Sequence, residues 1–368
     1  GTGIYVYDDS DISGGIMNEG TISGGYGIRI NDDSKISGGI NNSGTIEGTS
    51  GSAIDAQYGG ALDVTNSGDI IGNIIFGDGE DSLTLLTGSN IDGDVNAGRG
   101  TDALIIAGDV TEDSKLTAFE SLTIESGNST LSNEYISFET LDVDAGSLNY
   151  AGVAHAATVA AGAMLSGTGT FGSLMVEGTV SPGNSPGTME VLGDYTMGVD
   201  AQYDAEIMGD GTSDLINVGG AAVIDGTLNV IMLDAAEEYD GETSYTVLSA
   251  VDGVSGEYSN VTWDVDGIDG SLFPVYELGA NSVNVVFQST EEFFGVDAQT
   301  SNQNAVASGL AIAAAKSSTG QGLFSASPEE RRAAMNQASG NSLATWSGVL
   351  ANDANEYLNT VATEVDVT

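Results

Sequence analysis

The chain has 368 residues, with 54 Asp and Glu against 7 Lys and Arg, a formal net charge of −47 and no cysteine. Such a surface repels nucleic acid phosphates and anionic membranes, and the missing thiols exclude disulfides, thiolate chemistry and cysteine-based zinc sites. No run of about 18 apolar residues occurs, so no helix is expected to span a membrane.

Repeats decide the fold from the first residues onward. Residues 1–24 (GTGIYVYDDSDISGGIMNEGTISG) and 25–48 (GYGIRINDDSKISGGINNSGTIEG) are identical at 16 of 24 positions, and 49–72 keeps the ending Asn66-Ser-Gly-Asp-Ile-Ile-Gly72. Each copy holds two or three alternating runs of three to five residues, punctuated by Gly, Asn, Asp or Ser, too short for helices. One such coil cannot bury its apolar side, whereas stacked coils can. The expected fold is therefore all-β: a right-handed parallel β-helix, a solenoid, with a short C-terminal helical segment. Ile4, Val6, Ile12, Ile16 and Ile22 are expected to lie under Ile28, Ile30, Ile36, Ile40 and Ile46. Asn18, Asn42 and Asn66 are expected to form an amide ladder. Gly1 already lies inside a repeat, so further coils are expected on its N-terminal side.

Acidic pairs also repeat. Asp8-Asp-Ser-Asp11 stacks over Asp32-Asp-Ser-Lys35, where like charges one strand apart repel unless solvated or bridged by a cation. Gly77-Asp-Gly-Glu-Asp-Ser-Leu83 is echoed 21 residues later by Gly98-Arg-Gly-Thr-Asp-Ala-Leu104. These runs resemble half of the calcium-binding Gly/Asp nonapeptide, which needs tandem copies about nine residues apart. The alternative is that the glycines make turns while Asp81 and Asp102 satisfy backbone donors. No cofactor is expected. Calcium is the one ion these acids suggest, with Asp8, Asp32, Asp78, Asp81 and Asp102 as the candidate ligands.

Further along, Phe119-Glu-Ser-Leu-Thr-Ile124 returns as Phe138-Glu-Thr-Leu-Asp-Val143. His155 is the only histidine and lies in Val153-Ala-His-Ala-Ala157 with no acid beside it, which leaves no triad and makes a packed or surface role the safer reading. Strand-like runs continue to Val283-Asn-Val-Val-Phe287. At roughly 20–24 residues per coil, 12–14 coils of about 4.8 Å rise would make a rod of about 60 Å. Trp263 and Trp346 read as core or cap residues. Tyr5, Tyr7, Tyr26 and Tyr58 are expected to pack on neighbouring coils more than to present ring faces. After about residue 290 the pattern turns helical: 301–316 is Ala-rich, and Ser327-Pro-Glu-Glu330 reads as a helix start with a serine cap and proline at the first position.

Residues 161–197, AGAMLSGTGTFGSLMVEGTVSPGNSPGTMEVLGDYTM, resemble the passenger-associated repeat of bacterial autotransporters. They carry its GTG-type run, its Ser181-Pro182-Gly183-Asn184-Ser185-Pro186-Gly187 turn and its Asp194-Tyr-Thr196 ending. Asp214-Leu-Ile-Asn-Val-Gly-Gly220, Tyr245-Thr-Val-Leu-Ser-Ala250, Asn302-Gln-Asn-Ala-Val306, Gln337-Ala-Ser-Gly340 and Glu356-Tyr-Leu358 fit the same family. The resemblance implies β-helix repeats over 1–160, C-terminal coils with an autochaperone-like cap over 161–290, and a helical linker over 291–368 toward an outer-membrane barrel that this chain does not include. It implies export to the bacterial cell surface or beyond, as an adhesin or structural rod. The partners would be host or sibling-cell surface molecules or glycans, or copies of itself. The alternative is a subunit of an extracellular filament or lattice, stabilised by calcium. A β-helix enzyme acting on polysaccharide is the least favoured reading, because seven basic residues leave little to bind an acidic sugar. No catalytic residue is assigned.

Overall fold

The computed structural model describes residues 1–133, 136–235, 238–264, 271–317 and 320–339. They form a β-solenoid of about 11 stacked parallel turns with a short C-terminal helical segment. Two compact units are distinguished. One holds residues 1–184, 188–201 and 217–221; the other holds 185–187, 202–216 and the remainder from 222.

In the first unit the repeat sets the register. Strand Thr2–Val6 pairs in parallel with Tyr26–Ile30, Ile16–Asn18 with Ile40–Asn42, and Thr21–Gly24 with Thr45–Gly48. Ile4 meets Ile28, Val6 meets Ile30, Ile16 meets Ile40 and Ile22 meets Ile46, while the Ile12 N–H bonds the Lys35 carbonyl beside Ile36. Successive side chains of a strand point to opposite faces, so the alternating isoleucines turn inward and the Thr, Ser and Asp between them turn out. Ile28, Ile30, Ile36, Ile40 and Ile46 are buried to 1% exposure or less. At roughly 1.5–3 kcal/mol for each large aliphatic side chain buried, these columns are the main source of cohesion.

The columns survive when the coil shortens. Val64, Leu83, Leu104, Leu122, Leu141, Ala157, Leu174 and Tyr195 follow one another in register, and the next inward positions are Leu85, Ile106, Ile124, Val143, Val159, Val176 and Met197. Loops absorb the changes in length. Gly15 and Gly39, stacked at φ +73° and +71°, turn the chain back where an L side chain would be strained.

In the second unit, Gln202–Ile207, Thr227–Met232 and Asn260–Trp263 continue as parallel strands, and Ala222–Ile224 pairs with Val254–Gly256. The parallel series then stops. Leu272–Leu278 and Ser282–Ser289 pair antiparallel, and Ser282–Ser289 also runs antiparallel to Ser244–Ala250. Val283–Phe287 is therefore not another coil, and the number of turns falls below the expected 12–14. The reason is the connection Gly279–Asn281, closed by a bond from the Gly279 N–H to the Ser282 carbonyl of 2.8 Å. Antiparallel strands can be joined by so short a loop; parallel ones need a crossover of a dozen residues or more.

Four helices follow among the described residues: α1 (Thr290–Gly295), α2 (Ser301–Ala315), α3 (Gly322–Ser325) and α4 (Pro328–Ala338). Thr300 and Ser327 close capping boxes with Gln303 and Glu330, as the Ser-Pro-Glu-Glu run suggests for α4. The helices bury Phe294, Leu310, Ala311, Leu323 and Met335 against one another. Trp263 is buried and donates from Nε1 to the Ala315 carbonyl at 3.0 Å, a cap residue as expected. Gln321 donates from its amide to the Trp263 carbonyl at 2.7 Å and accepts from the Trp263 N–H at 3.4 Å, covering main-chain groups on a terminal strand. Trp346, Gly340 and Glu356–Leu358 lie outside the described residues.

Candidate functional site

The expected ligands fall into separate sets. Asp8 and Asp32 occupy equivalent turns of successive coils at φ +66° and +54°, both exposed, and the Asp9 N–H bonds the Asp32 carbonyl at 3.2 Å. Asp11 lies beside Lys35 at 3.8 Å and accepts from the Ser37 N–H and hydroxyl at 3.1 and 2.9 Å, bonds that hold its carboxyl below the usual carboxylate range. Asp78 is exposed on the loop leading to Asp81. No group of three or more His, Asp or Glu side chains placed to hold a metal ion occurs among the described residues.

Asp81 and Asp102 sit differently. They are 2% and 0% exposed, on successive coils, and each receives a backbone donor from the coil before it. The Leu62 N–H donates to Asp81 Oδ1 at 2.6 Å and the Asp81 N–H to Asp102 Oδ1 at 2.8 Å. The Asp102 N–H continues the series to Glu120 Oε2 at 2.6 Å. Of the two roles considered for the Gly/Asp runs, the geometry matches the second: these carboxylates satisfy corner N–H groups. Burial is the main cause that pushes the Asp81 carboxyl up to about 6, and it also raises Asp102.

His155 takes the surface role, one of the two expected. Its Nδ1 lies 2.6 Å from Glu139 Oε2, with both side chains well exposed. The acid comes from the neighbouring coil, 16 residues earlier, so the local sequence does not reveal it. Three of the tyrosines correct the expectation that they pack on neighbouring coils. Tyr5, Tyr7 and Tyr58 are 47%, 53% and 60% exposed, and Tyr5 stacks on Tyr7 with ring centroids 4.9 Å apart. Tyr5 points outward from strand Thr2–Val6 opposite Arg29, Tyr7 follows that strand, and Tyr58 lies in a turn. Tyr26 is half-buried beneath the Arg29 guanidinium at 4.6 Å.

Within the turn 181–187, Ser181 and Pro182 end the strand Thr179–Pro182 in the first unit. Gly183 follows at φ +82°, bonding the Gly167 carbonyl at 2.7 Å, and Asn184 accepts from the Asn149 amide at 3.3 Å. In the second unit Ser185 has φ +67°, the Ser185–Pro186 peptide is cis, and the Gly187 N–H donates to Asp214 Oδ1 at 2.7 Å. Asp214 is fully buried and takes the Glu206 N–H on Oδ2 at 2.9 Å. Burial pushes its carboxyl up to about 6. Sequence reasoning places Asp214 in a late coil but misses this bridging role, since its partners lie 27 and 8 residues away. Replacing Asp214 with alanine strips an acceptor from two N–H groups, at an expected cost of about 2–4 kcal/mol. Faster amide exchange at Gly187 and Glu206 would register it; unchanged exchange would refute the bridging role.

The fold and these contacts define a β-solenoid protein whose corners are closed by stacked Asn and acidic side chains. No family model matches the chain, and no curated protein matches it.

Proposed function

We propose that the chain is the passenger of an autotransporter, carried to the bacterial surface, where it acts as an adhesive or structural element. The observation that carries this reading is the placement of the passenger-like run 161–197. Its segments occupy matching strands of neighbouring coils, with Leu165 on Val180, Phe171 on Val191 and Leu174 on Tyr195. Each coil rests on the one beside it, so coils can add in sequence as the chain emerges from a pore, and the absence of cysteine leaves no cross-link to block passage. The acidic exterior favours solubility and neutral or cationic partners over acidic ones.

The test joins the chain to an outer-membrane translocator barrel in a host lacking adhesins of its own. Protease shaving of intact cells and settling of the culture are then measured. Expected are a shaved product from the cell exterior and faster settling or surface attachment. Retention in the periplasm refutes export, and display without any gain in attachment refutes the adhesive role.

A further inference from the structure

One corner of the first unit carries a titratable side chain on five successive coils: Asp81, Asp102, Glu120, Glu139 and His155. Their alignment follows from the residues just after them, since Ser82, Ala103, Ser121, Thr140 and Ala156 stand in register. Asp81 and Asp102 are buried, while Glu139 and His155 are exposed and paired at 2.6 Å. In Asp81 and in Asp102, Oδ1 takes an N–H from the preceding coil; the Gly77 N–H also acts on the Asp81 carboxyl, while the buried Oδ2 of Asp102 has no hydrogen-bond partner. A buried ionised carboxylate with an unmet oxygen is costly, and a second one on the next coil adds repulsion across about one strand spacing.

The charges acting on this pair are all acidic: Asp63 and Asp102 on Asp81, and Glu120 and Glu80 on Asp102. His155, when protonated, is the only cation in the column. We propose that this corner is a pH-operated latch, closed when the stacked carboxyls carry protons and loosened locally when they ionise. Protonation turns the unmet oxygen into a neutral hydroxyl and removes the repulsion between coils, while Oδ1 keeps its backbone donor. The backbone donors offset only part of the charge, and opening is confined to the Leu62–Glu120 coils, where the two buried carboxyls lie, leaving the aliphatic columns in place.

The sign follows from burial, which raises both carboxyls above their unfolded values. The stabilisation is complete below the unfolded value and is lost as pH climbs through the folded one. For Asp81, with a folded value of about 6 against 3.8, the opening equilibrium rises about tenfold from pH 5 to pH 7.5.

Amide exchange on the whole chain tests this, corrected for the intrinsic pH dependence of exchange. Opening at the Leu62, Asp81 and Asp102 amides is expected to increase about tenfold over that interval, while Ser43 and Ser67, at the amide-ladder corner, stay flat. Asp81→Asn should remove most of the rise, and Asp102→Asn a smaller part of it, since burial raises Asp81 more than its acidic neighbour does. The exposed control Asp78→Asn should not, and 1 M salt should weaken it little, because buried charges are poorly screened. The latch is overturned if the acidic corner tracks Ser43 and Ser67 in the unmutated protein, since that comparison needs no variant to fold. It is also overturned if salt or Asp78→Asn erases the rise as fully as Asp81→Asn, which would assign it to diffuse net charge.

Discussion

Replacing Asn42 with alanine is expected to destabilise the first unit by about 3–4 kcal/mol. Asn42 is 2% exposed and stands in the middle of the amide ladder. It accepts from Asn18 Nδ2 at 2.7 Å and donates to Asn66 Oδ1 at 2.8 Å, to the Asp69 carbonyl at 3.1 Å and to the Gly44 carbonyl at 3.2 Å. Alanine removes all four bonds and leaves the amides above and below partly unmet inside the stack. Each lost buried bond costs about 1 kcal/mol, more where a polar group is stranded. Ser23→Ala is the fitting control, because its hydroxyl bonds Glu47 on the exposed surface and should matter little. Urea unfolding followed by circular dichroism in the strand region compares the two. A midpoint shift for Asn42→Ala no larger than for Ser23→Ala would mean that water replaces the ladder.

That ladder was legible before any coordinates, because identical residues recur 24 apart and stacking puts like on like. The same logic recovers the isoleucine and leucine columns, where a two-residue period and the Gly and Asn turns both point to one register. The acidic corner was also written in the chain. Asp81, Asp102, Glu120 and Glu139 each stand two residues before a leucine of one column, and of the two roles weighed for the first two, their contacts match the satisfaction of backbone donors. Three things were not legible. Alternation is the same in parallel and antiparallel strands, so Val283–Phe287 looked like a coil, and only the short Gly279–Asn281 link argues otherwise. The Glu139 partner of His155 belongs to another coil. Asp214 meets Gly187 and Glu206 across 27 and 8 residues, with no motif to announce it.

In the helical segment the largest expected effect comes from Arg331. It is 8% exposed, pairs through Nε with Asp297, itself 8% exposed, donates from Nη1 to the Ala326 carbonyl, and lies 4.6 Å above the Phe293 ring. Arg331→Ala strands a buried carboxylate, which costs about 3–5 kcal/mol. Arg331→Lys should recover only part, since an ammonium cannot serve Asp297, the carbonyl and the ring together. The double change Arg331→Met with Asp297→Leu should be near neutral, because replacing both charges leaves neither buried alone. Helical ellipticity during heating, together with protease cleavage between α1 and α4, follows the loss, which should spare the parallel coils of the first unit. If Arg331→Ala melts with the unmutated chain, the ion pair contributes nothing and the helices are held by Phe294, Leu310 and Met335 alone. If the double change is as damaging as the single one, the arginine acts through its stacking on Phe293 and not through its charge.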